Sequence, residues 1–262
     1  MPIISTYCKK GGVGKTTLLG YLAHYYANKG KKVLIISADD QNSIFKLFGV
    51  GNFITESTDN FLENYLTGTC DAQDIVCEAR INMYIIKTLN TDRLSFTLTV
   101  KRSEERKIID TINDFSGFFD YIFIDFPPSS SRLSEILLDI SDKILLIIGL
   151  DTLGLDGYVN TIQYFVDTDI KLDKIKYIIP TGYHPVKLAP NKALKELKNQ
   201  ASQYTPGAII TDPVKDKSIV KNLQADGISV FDKAEMPSKF HQKNFNEFQN
   251  DLKKLFDSLD LD

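Results

Sequence analysis

Two lysines, three glycines and two threonines lie within eight consecutive residues. They form the run Lys10-Gly11-Gly12-Val13-Gly14-Lys15-Thr16-Thr17, which follows a short apolar stretch and precedes a helical pattern. Glycines let backbone N–H groups wrap a polyphosphate, and a helix N-terminus behind them adds partial positive charge. A lysine placed like Lys15 can reach the β- and γ-phosphates, and the Thr16 hydroxyl can ligate Mg²⁺. The run therefore predicts a site for ATP and Mg²⁺ between a strand and a helix.

The front lysine, Lys10, sets this run apart from the ordinary phosphate-binding loop, which has a glycine where this chain has Lys9. The run resembles the deviant Walker A motif of the ParA/MinD family of ATPases. The resemblance implies slow, partner-stimulated ATP hydrolysis, with Lys10 and Lys15 as catalytic residues. It also implies an ATP-dependent homodimer, because the front lysine in that family reaches the nucleotide bound by the partner subunit.

Two acidic residues follow apolar runs that are typical of buried parallel strands. Asp39 follows the run at 33–36, and Asp125 ends the run at 121–125. Ligands of α/β sheets bind at the carboxyl ends of such strands. By the resemblance, Asp39 is a catalytic residue that positions the attacking water near Mg²⁺, and Asp125 is the Walker B acid that holds Mg²⁺ opposite Thr16. The predicted metal-site residues are therefore Thr16, Asp39 and Asp125. Taken alone, Asp39 could equally be a helix N-cap.

The residues around Asp39 depart from the family pattern Asp-x-Asp-Pro-Gln. Ser37 stands at the first Asp and Asp40 at the Pro, whereas Gln41 is retained. The role of the first Asp in that pattern is therefore open in this chain.

Charge is distributed unevenly along the 262 residues, whose net charge is −3. Residues 171–221 hold ten lysines and four acidic residues, so one basic segment lies in an acidic protein. Such a segment predicts either a solvated face or contacts to DNA phosphates, which give affinity without sequence information. The lysines predicted to face DNA are Lys187, Lys192, Lys195, Lys198, Lys215, Lys217 and Lys221.

Two later segments extend the resemblance. In the family, the loop after the last strand covers the adenine base, so Pro213 and Val214 are either base contacts or part of an ordinary turn. A C-terminal helix at about 238–259 carries an apolar stripe at helical spacing, starting at Phe240. We expect this helix to pack on the domain. Membrane binding, as in MinD-type relatives, is disfavoured because eight acids outnumber five lysines over residues 222–262, which include this helix.

Strand and helix patterns alternate along the chain, which predicts an α/β fold with a doubly wound, mostly parallel sheet and helices on both faces. We expect a single P-loop ATPase domain over 1–262, without a DNA-reading extension before the loop. Three cysteines without metal-ligand spacing indicate a reduced, cytoplasmic protein.

Three functions remain open at this level. The first is a ParA-type partition ATPase that associates with the nucleoid, binds non-specific duplex DNA and is stimulated by a centromere-binding adaptor protein. The second is a MinD-like membrane-cycling regulator of positioning or cell division. The third, a reductase component or cluster carrier, would need a cysteine pair that bridges a dimer, and the sequence offers no recognisable motif for one.

Overall fold

One eight-stranded sheet forms the centre of the computed structural model, which describes residues 1–51, 61–100, 102–115 and 117–262, without the side chains of 102–104 and 221. The strand order is β3-β4-β2-β5-β1-β6-β7-β8. The strands are β1 (Ile3–Tyr7), β2 (Val33–Ser37), β3 (Val76–Arg80), β4 (Met83–Ile86), β5 (Tyr121–Asp125), β6 (Lys143–Gly149), β7 (Ile175–Thr181) and β8 (Ile209–Ile210).

Ten α-helices accompany the sheet within the same described residues. They are α1 (Lys15–Asn28), α2 (Ser43–Leu47), α3 (Leu62–Leu66), α4 (Thr91–Val100), α5 (Arg102–Phe115), α6 (Arg132–Asp139), α7 (Thr152–Asp167), α8 (Leu188–Tyr204), α9 (Ile219–Ala225) and α10 (Lys239–Asp257). Short 3-10 turns precede β3 (Ala72–Asp74) and β7 (Leu172–Lys174).

The central strands are buried along their whole length. Every residue of β1, β2 and β5 is buried, which is why these strands are continuous apolar runs rather than alternating ones. Helix α1 packs on β2 and β5, and α7 packs on β6. The predicted α/β fold with a mostly parallel sheet is confirmed.

The edge strand β3 is the exception to parallel pairing, and the sequence patterns did not predict it. The sequence predicts helical and irregular structure over 44–82, of which 52–60 lie outside the described residues, and a third strand over 83–87. The structure instead pairs β3 antiparallel with β4. Only two residues separate these strands, and the second, Asn82, has a left-handed φ of 62°. A two-residue turn forces the antiparallel hairpin. The strand predicted at 83–87 is therefore fourth in chain order rather than third.

The strand register brings the carboxyl ends of three strands together. Thr6 of β1 and Ser37 of β2 both pair with Asp125 of β5. The loops that leave β1, β2 and β5 therefore begin side by side, although they are far apart in the sequence. This edge of the sheet, the carboxyl edge, holds the predicted site.

The C-terminal helix α10 packs its apolar stripe inward. Phe245, Phe248, Leu252 and Phe256 are buried, and Leu259 beyond the helix end is buried as well. Phe240, which the periodicity placed in the stripe, is instead 71% exposed in the first turn of the helix. No helix among the described residues is long and apolar enough to span a membrane.

Candidate nucleotide-binding site

The loop between β1 and α1 has a backbone shape that only glycine adopts easily. Gly12 and Gly14 have φ values of 74° and 95°, in the left-handed region. A Cβ built on either residue meets nothing within 4 Å, so the loop faces open space there. Gly11 lies beside Pro128, because a Cβ built on this glycine would stand 3.8 Å from the Cγ of Pro128. The result is a concave backbone surface at the start of α1, suited to an anion.

Lys15 holds its ammonium inside this loop. The side chain is buried, and Nζ donates hydrogen bonds to the carbonyl oxygens of Cys8 at 3.2 Å and Lys10 at 2.9 Å. Burial lowers the pKa of Lys15, while Cys8, Asp125 and Asp39 act in the opposite direction. A buried cation whose hydrogen-bond partners are neutral carbonyl groups favours the arrival of an anion such as a phosphate.

Thr16 and Asp125 meet at the first turn of α1. The Thr16 hydroxyl donates to Oδ1 of Asp125 at 3.0 Å. Asp125 is fully buried, and its Oδ2 has no hydrogen-bond partner among the described residues. Burial is the main cause that raises the pKa of Asp125 to about 7, and Thr16 opposes the shift. A buried carboxylate with one unbound oxygen beside a hydroxyl fits a divalent cation.

These two residues would hold Mg²⁺ if it binds here. No group of three or more His, Cys, Asp or Glu side chains in the described part of the chain is placed to hold a metal ion. Magnesium is usually held by one or two carboxylates together with substrate phosphates and waters, so a small protein donor set suffices. The bound ion would neutralise charge on the phosphates.

Asp39 lies in the loop after β2, near the same centre. Its Oδ1 accepts a hydrogen bond from the Gln41 backbone N–H at 3.0 Å, and the Ser37 hydroxyl donates to its carbonyl oxygen at 3.0 Å. After burial, the Asp39 carboxylate is a further cause that raises the pKa of Asp125, and it opposes the lowering of the Lys15 pKa by burial. The Ser37 hydroxyl therefore shapes the loop that carries Asp39.

Lys10 lies at the outer side of the loop with its stem against α7. A Cβ on Gly157 would stand 2.9 Å from the Lys10 Cβ and 3.3 Å from the Cys8 sulfur, so glycine at 157 gives the stem its space. The Lys10 Nζ makes no hydrogen bond or ion pair with any described residue. This half-buried lysine therefore presents a free ammonium beside the phosphate-binding loop.

Three hydrogen bonds from distant parts of the chain hold the loop in place, and no sequence motif predicted them. The Thr181 hydroxyl donates to the Val13 carbonyl at 2.8 Å, and the Lys9 backbone N–H donates to Thr161 Oγ1 at 3.0 Å. Gln224, in the last turn of α9, donates from its side-chain amide to the Thr17 hydroxyl at 2.6 Å. The only sequence signal was the position of Thr181 at the end of a strand.

Pro213 and Val214 lie between the end of β7 and helix α10. Val214 bonds through its backbone to Pro180 at 2.8 Å and to Tyr183 at 3.1 Å. Both residues line a cavity of about 330 Å³ whose other wall includes Phe248. The predicted contact of Pro213 and Val214 with adenine stays a prediction.

The lysines predicted to face DNA fall into two groups. Lys215 and Lys217 form ion pairs with Asp251 at 2.9 Å and Glu247 at 3.8 Å on α10. The other group is exposed, along α8 or just before it, and makes no side-chain ion pair with a described residue: Lys187, Lys192, Lys195 and Lys198. The side chain of Lys221 lies outside the described residues.

Comparisons with known proteins place this arrangement in a family. The family model AAA_31, described as an AAA domain, matches residues 1–175. The chain is a P-loop ATPase of the ParA/MinD type. The predicted family and the predicted ATPase activity are thereby confirmed.

One of the named relatives of this chain is a protein kinase. Tyrosine-protein kinase CpsD of Streptococcus agalactiae is 32% identical over 126 residues, which is 48% of this chain and 52% of CpsD. The chain spans about half the length of curated relatives that it matches, CpsD among them.

Two solved structures share the fold. An ATP complex of a McdA variant from Cyanothece has a TM-score of 0.77 at 18% identity, covering 100% of this chain and 98% of McdA. A plasmid partition protein of Borrelia burgdorferi has a TM-score of 0.68 at 19% identity, covering 86% of this chain and 96% of that one. At such low identity these matches establish the fold alone.

Proposed function

We propose that this chain is a DNA-partition ATPase whose Mg²⁺- and ATP-dependent homodimer binds non-specific duplex DNA. A centromere-binding adaptor would stimulate hydrolysis and so release the DNA, and the protein would associate with the nucleoid. The observation that carries the proposal is the row of lysines on and next to α8 that form no ion pair with a described residue, in a protein whose net charge is negative. The name of the Borrelia relative is consistent with this role.

The site supports positioning and charge neutralisation rather than covalent catalysis. Lys15 would neutralise the β- and γ-phosphates, Thr16 and Asp125 would hold Mg²⁺, and Asp39 would orient the attacking water. Thr17 and the loop backbone would hold the remaining phosphate, with Pro213 and Val214 against adenine. These groups come from four separate segments, at the ends of β1, β2, β5 and β8, so ATP would draw the segments together.

Lys10 would complete the site of a second subunit. Its ammonium has no partner within the described part of its own chain, and its stem is held in place by Gly157. A positioned cation without a counter-ion is suited to a phosphate carried by another copy. We expect Lys10→Ala to bind ATP with unchanged affinity but to lose the ATP-dependent dimer and stimulated hydrolysis.

Light scattering with ATP tests that expectation. The matched control is Lys9→Ala, because Lys9 is adjacent and its ammonium lies 4.7 Å from the centre of the Tyr164 ring. The control should dimerise like the unmodified protein. A Lys10→Ala protein that still dimerises with ATP would contradict the proposed role of Lys10.

Co-sedimentation with non-specific duplex DNA tests the proposed function directly. Binding should require ATP, be absent with ADP or without nucleotide, and weaken as salt rises, because phosphate contacts release counterions. No binding in any nucleotide state would overturn the partition role and leave the ATPase assignment intact.

The lysine groups supply an internal control for that assay. Replacing Lys192, Lys195 and Lys198 together by Gln should lower the slope of log K against log salt by about 3, since each phosphate contact contributes about 0.9. Replacing Lys215 and Lys217 by Gln should change the slope less, because both are already paired with acids. Equal effects of the two sets would argue against α8 as the DNA-facing element.

A second candidate, phosphorylation of protein tyrosines, is supported by the identity to CpsD. Incubation with γ-labelled ATP distinguishes the two functions. Label on tyrosine, in this chain or in an added substrate, would favour the kinase role, whereas release of phosphate alone is expected of the partition ATPase. The MinD-like alternative has less support, because the apolar stripe of α10 is buried.

A further inference from the structure

A second cavity lies at the opposite edge of the sheet, where the parallel strands begin. Its volume is about 650 Å³, within the usual range for ligand sites. Lys32 precedes β2, Tyr84 is at the start of β4, and Phe119 precedes β5, so the cavity is far from the phosphate-binding loop along each strand. We call it the amino-edge groove.

The wall of the groove is a continuous series of aromatic rings. Ring centres are 5.9 Å apart for Tyr65 and Phe115, 6.3 Å for Phe115 and Phe119, and 5.6 Å for Phe119 and Tyr84. Phe118 also lines the groove and is 67% exposed, although a phenylalanine normally buries most of its surface. The faces of such rings carry partial negative charge and attract cations.

The charged residues of the groove are predominantly acidic. Asp71, Glu78 and Asp114 line it and form no ion pair with a described residue. Lys32 is the one basic residue among the described residues of the lining, and its ammonium lies 5.6 Å from the Tyr84 ring centre and 5.4 Å from that of Phe119. The ammonium of Lys32 therefore already lies against two of these rings, which shows that the aromatic wall accommodates a cation.

We propose that the amino-edge groove docks a segment of a partner protein in which arginine or lysine alternates with apolar residues. The apolar side chains would cover the aromatic wall, and the cations would meet the carboxylates and ring faces. A protein segment fits better than a small molecule, because the charged lining residues are exposed and would leave a small ligand largely in water. This inference does not depend on DNA binding or on the nucleotide cycle.

Fluorescence anisotropy of the full chain with labelled octapeptides tests the proposal. The probe alternates arginine and leucine, and its control replaces each arginine by citrulline, which has the same shape without the charge. We expect saturable binding of the arginine peptide that weakens with salt, and at least about tenfold weaker binding of the citrulline peptide. Equal affinity for the two peptides, or no binding of the arginine peptide up to about 1 mM, would overturn the proposal.

Groove variants locate the binding. Phe118→Ala and the double variant Glu78→Gln with Asp114→Asn should each weaken the arginine peptide by about threefold to tenfold. The matched controls are Phe96→Ala, a similarly exposed phenylalanine on α4, and Glu235→Gln, an exposed acid that forms no ion pair with a described residue. Because all of these side chains are on the surface, circular dichroism should show unchanged folding.

Controls that weaken binding as much as the groove variants would show that the peptide binds the acidic surface in general, and would overturn the proposal. Sedimentation velocity tests whether a second copy of this chain occupies the groove instead. If the chain self-associates and Phe118→Ala abolishes that association, the groove binds a second copy of this chain. That result would overturn the proposal that it docks a segment of another protein.

Discussion

The two edges of the sheet present opposite chemistry. At the carboxyl edge, glycine backbone, two lysines and two carboxylates converge within a few loops, and one buried carboxylate oxygen has no hydrogen-bond partner in the described part of the chain. At the amino edge, aromatic rings line an open groove and the charged groups are exposed. Polar groups that are buried and held by long-range contacts are suited to one defined ligand, whereas exposed rings and charges suit an adaptable surface contact.

The largest effect that we expect concerns ligand binding at the carboxyl edge. Lys15→Ala should weaken ATP binding by at least about 100-fold, because it removes a buried cation whose charged hydrogen bonds are worth about 1.5–3 kcal/mol each. Isothermal titration calorimetry measures this, with Lys9→Ala as the adjacent control that keeps normal affinity. A Lys15→Ala protein with normal affinity would show that the loop does not bind the phosphates.

Close backbone packing at the carboxyl edge should make it intolerant of added volume. A Cβ on Gly154 would stand only 2.0 Å from the Gly149 carbonyl oxygen, so α7 would have to move away from β6. We expect Gly154→Ala to lower the free energy of unfolding by about 3 kcal/mol. In urea melts, the control Gly207→Ala should change little, because its Cβ meets nothing within 4 Å. Comparable losses in both variants would refute this explanation.

Acid should lower the stability of the folded chain through His24, a buried histidine on α1. Burial lowers the pKa of His24 to about 4, and Nδ1 is 2.8 Å from the Ser229 hydroxyl. The unfolded chain therefore binds a proton near pH 6.5 that the folded chain excludes until about pH 4, so stability falls as pH falls between these values. The slope contributed is at most about 1.4 kcal/mol per pH unit.

Urea melts at pH 7 and pH 5 measure the histidine effect. His24→Asn should be less stable at pH 7 but should lose less stability on acidification than the unmodified protein. His241→Asn, exposed at the start of α10, should retain the original pH dependence. If His24→Asn and the unmodified protein lose equal stability, another group is responsible.

The smallest effect is expected at the amino edge. Phe118→Ala should change the free energy of unfolding by less than about 0.5 kcal/mol, because the side chain is largely exposed. A thermal melt measures it against Phe115→Ala, which removes a buried ring of the same wall and should cost about 3 kcal/mol. A large loss for Phe118→Ala would mean that this ring supports the fold, and would weaken the case for a docking surface.

Local sequence patterns predicted the parts of the molecule whose structure depends on residues close together in the chain. The loop at 10–17 needs its glycines and lysines in fixed order, and the strand that ends at Asp125 is a continuous apolar run. Patterns failed at β3, because this edge strand is only five residues long and its two buried positions hold small residues, Cys77 and Ala79, rather than β-branched or aromatic ones. They also misplaced Phe240, since periodicity does not show where a helix first meets the core.

The sequence by itself determined the family and the α/β fold, because short motifs and the alternation of strand and helix patterns specify them. The role of each residue of the loop at 10–17 stays a prediction. Only the tertiary structure decided which lysines are paired with acids, that Gln224 bonds Thr17, and that five aromatic residues line one groove. Those contacts join residues as much as 207 positions apart. Their geometry follows from how helices pack on the sheet, and no short-range spacing encodes it.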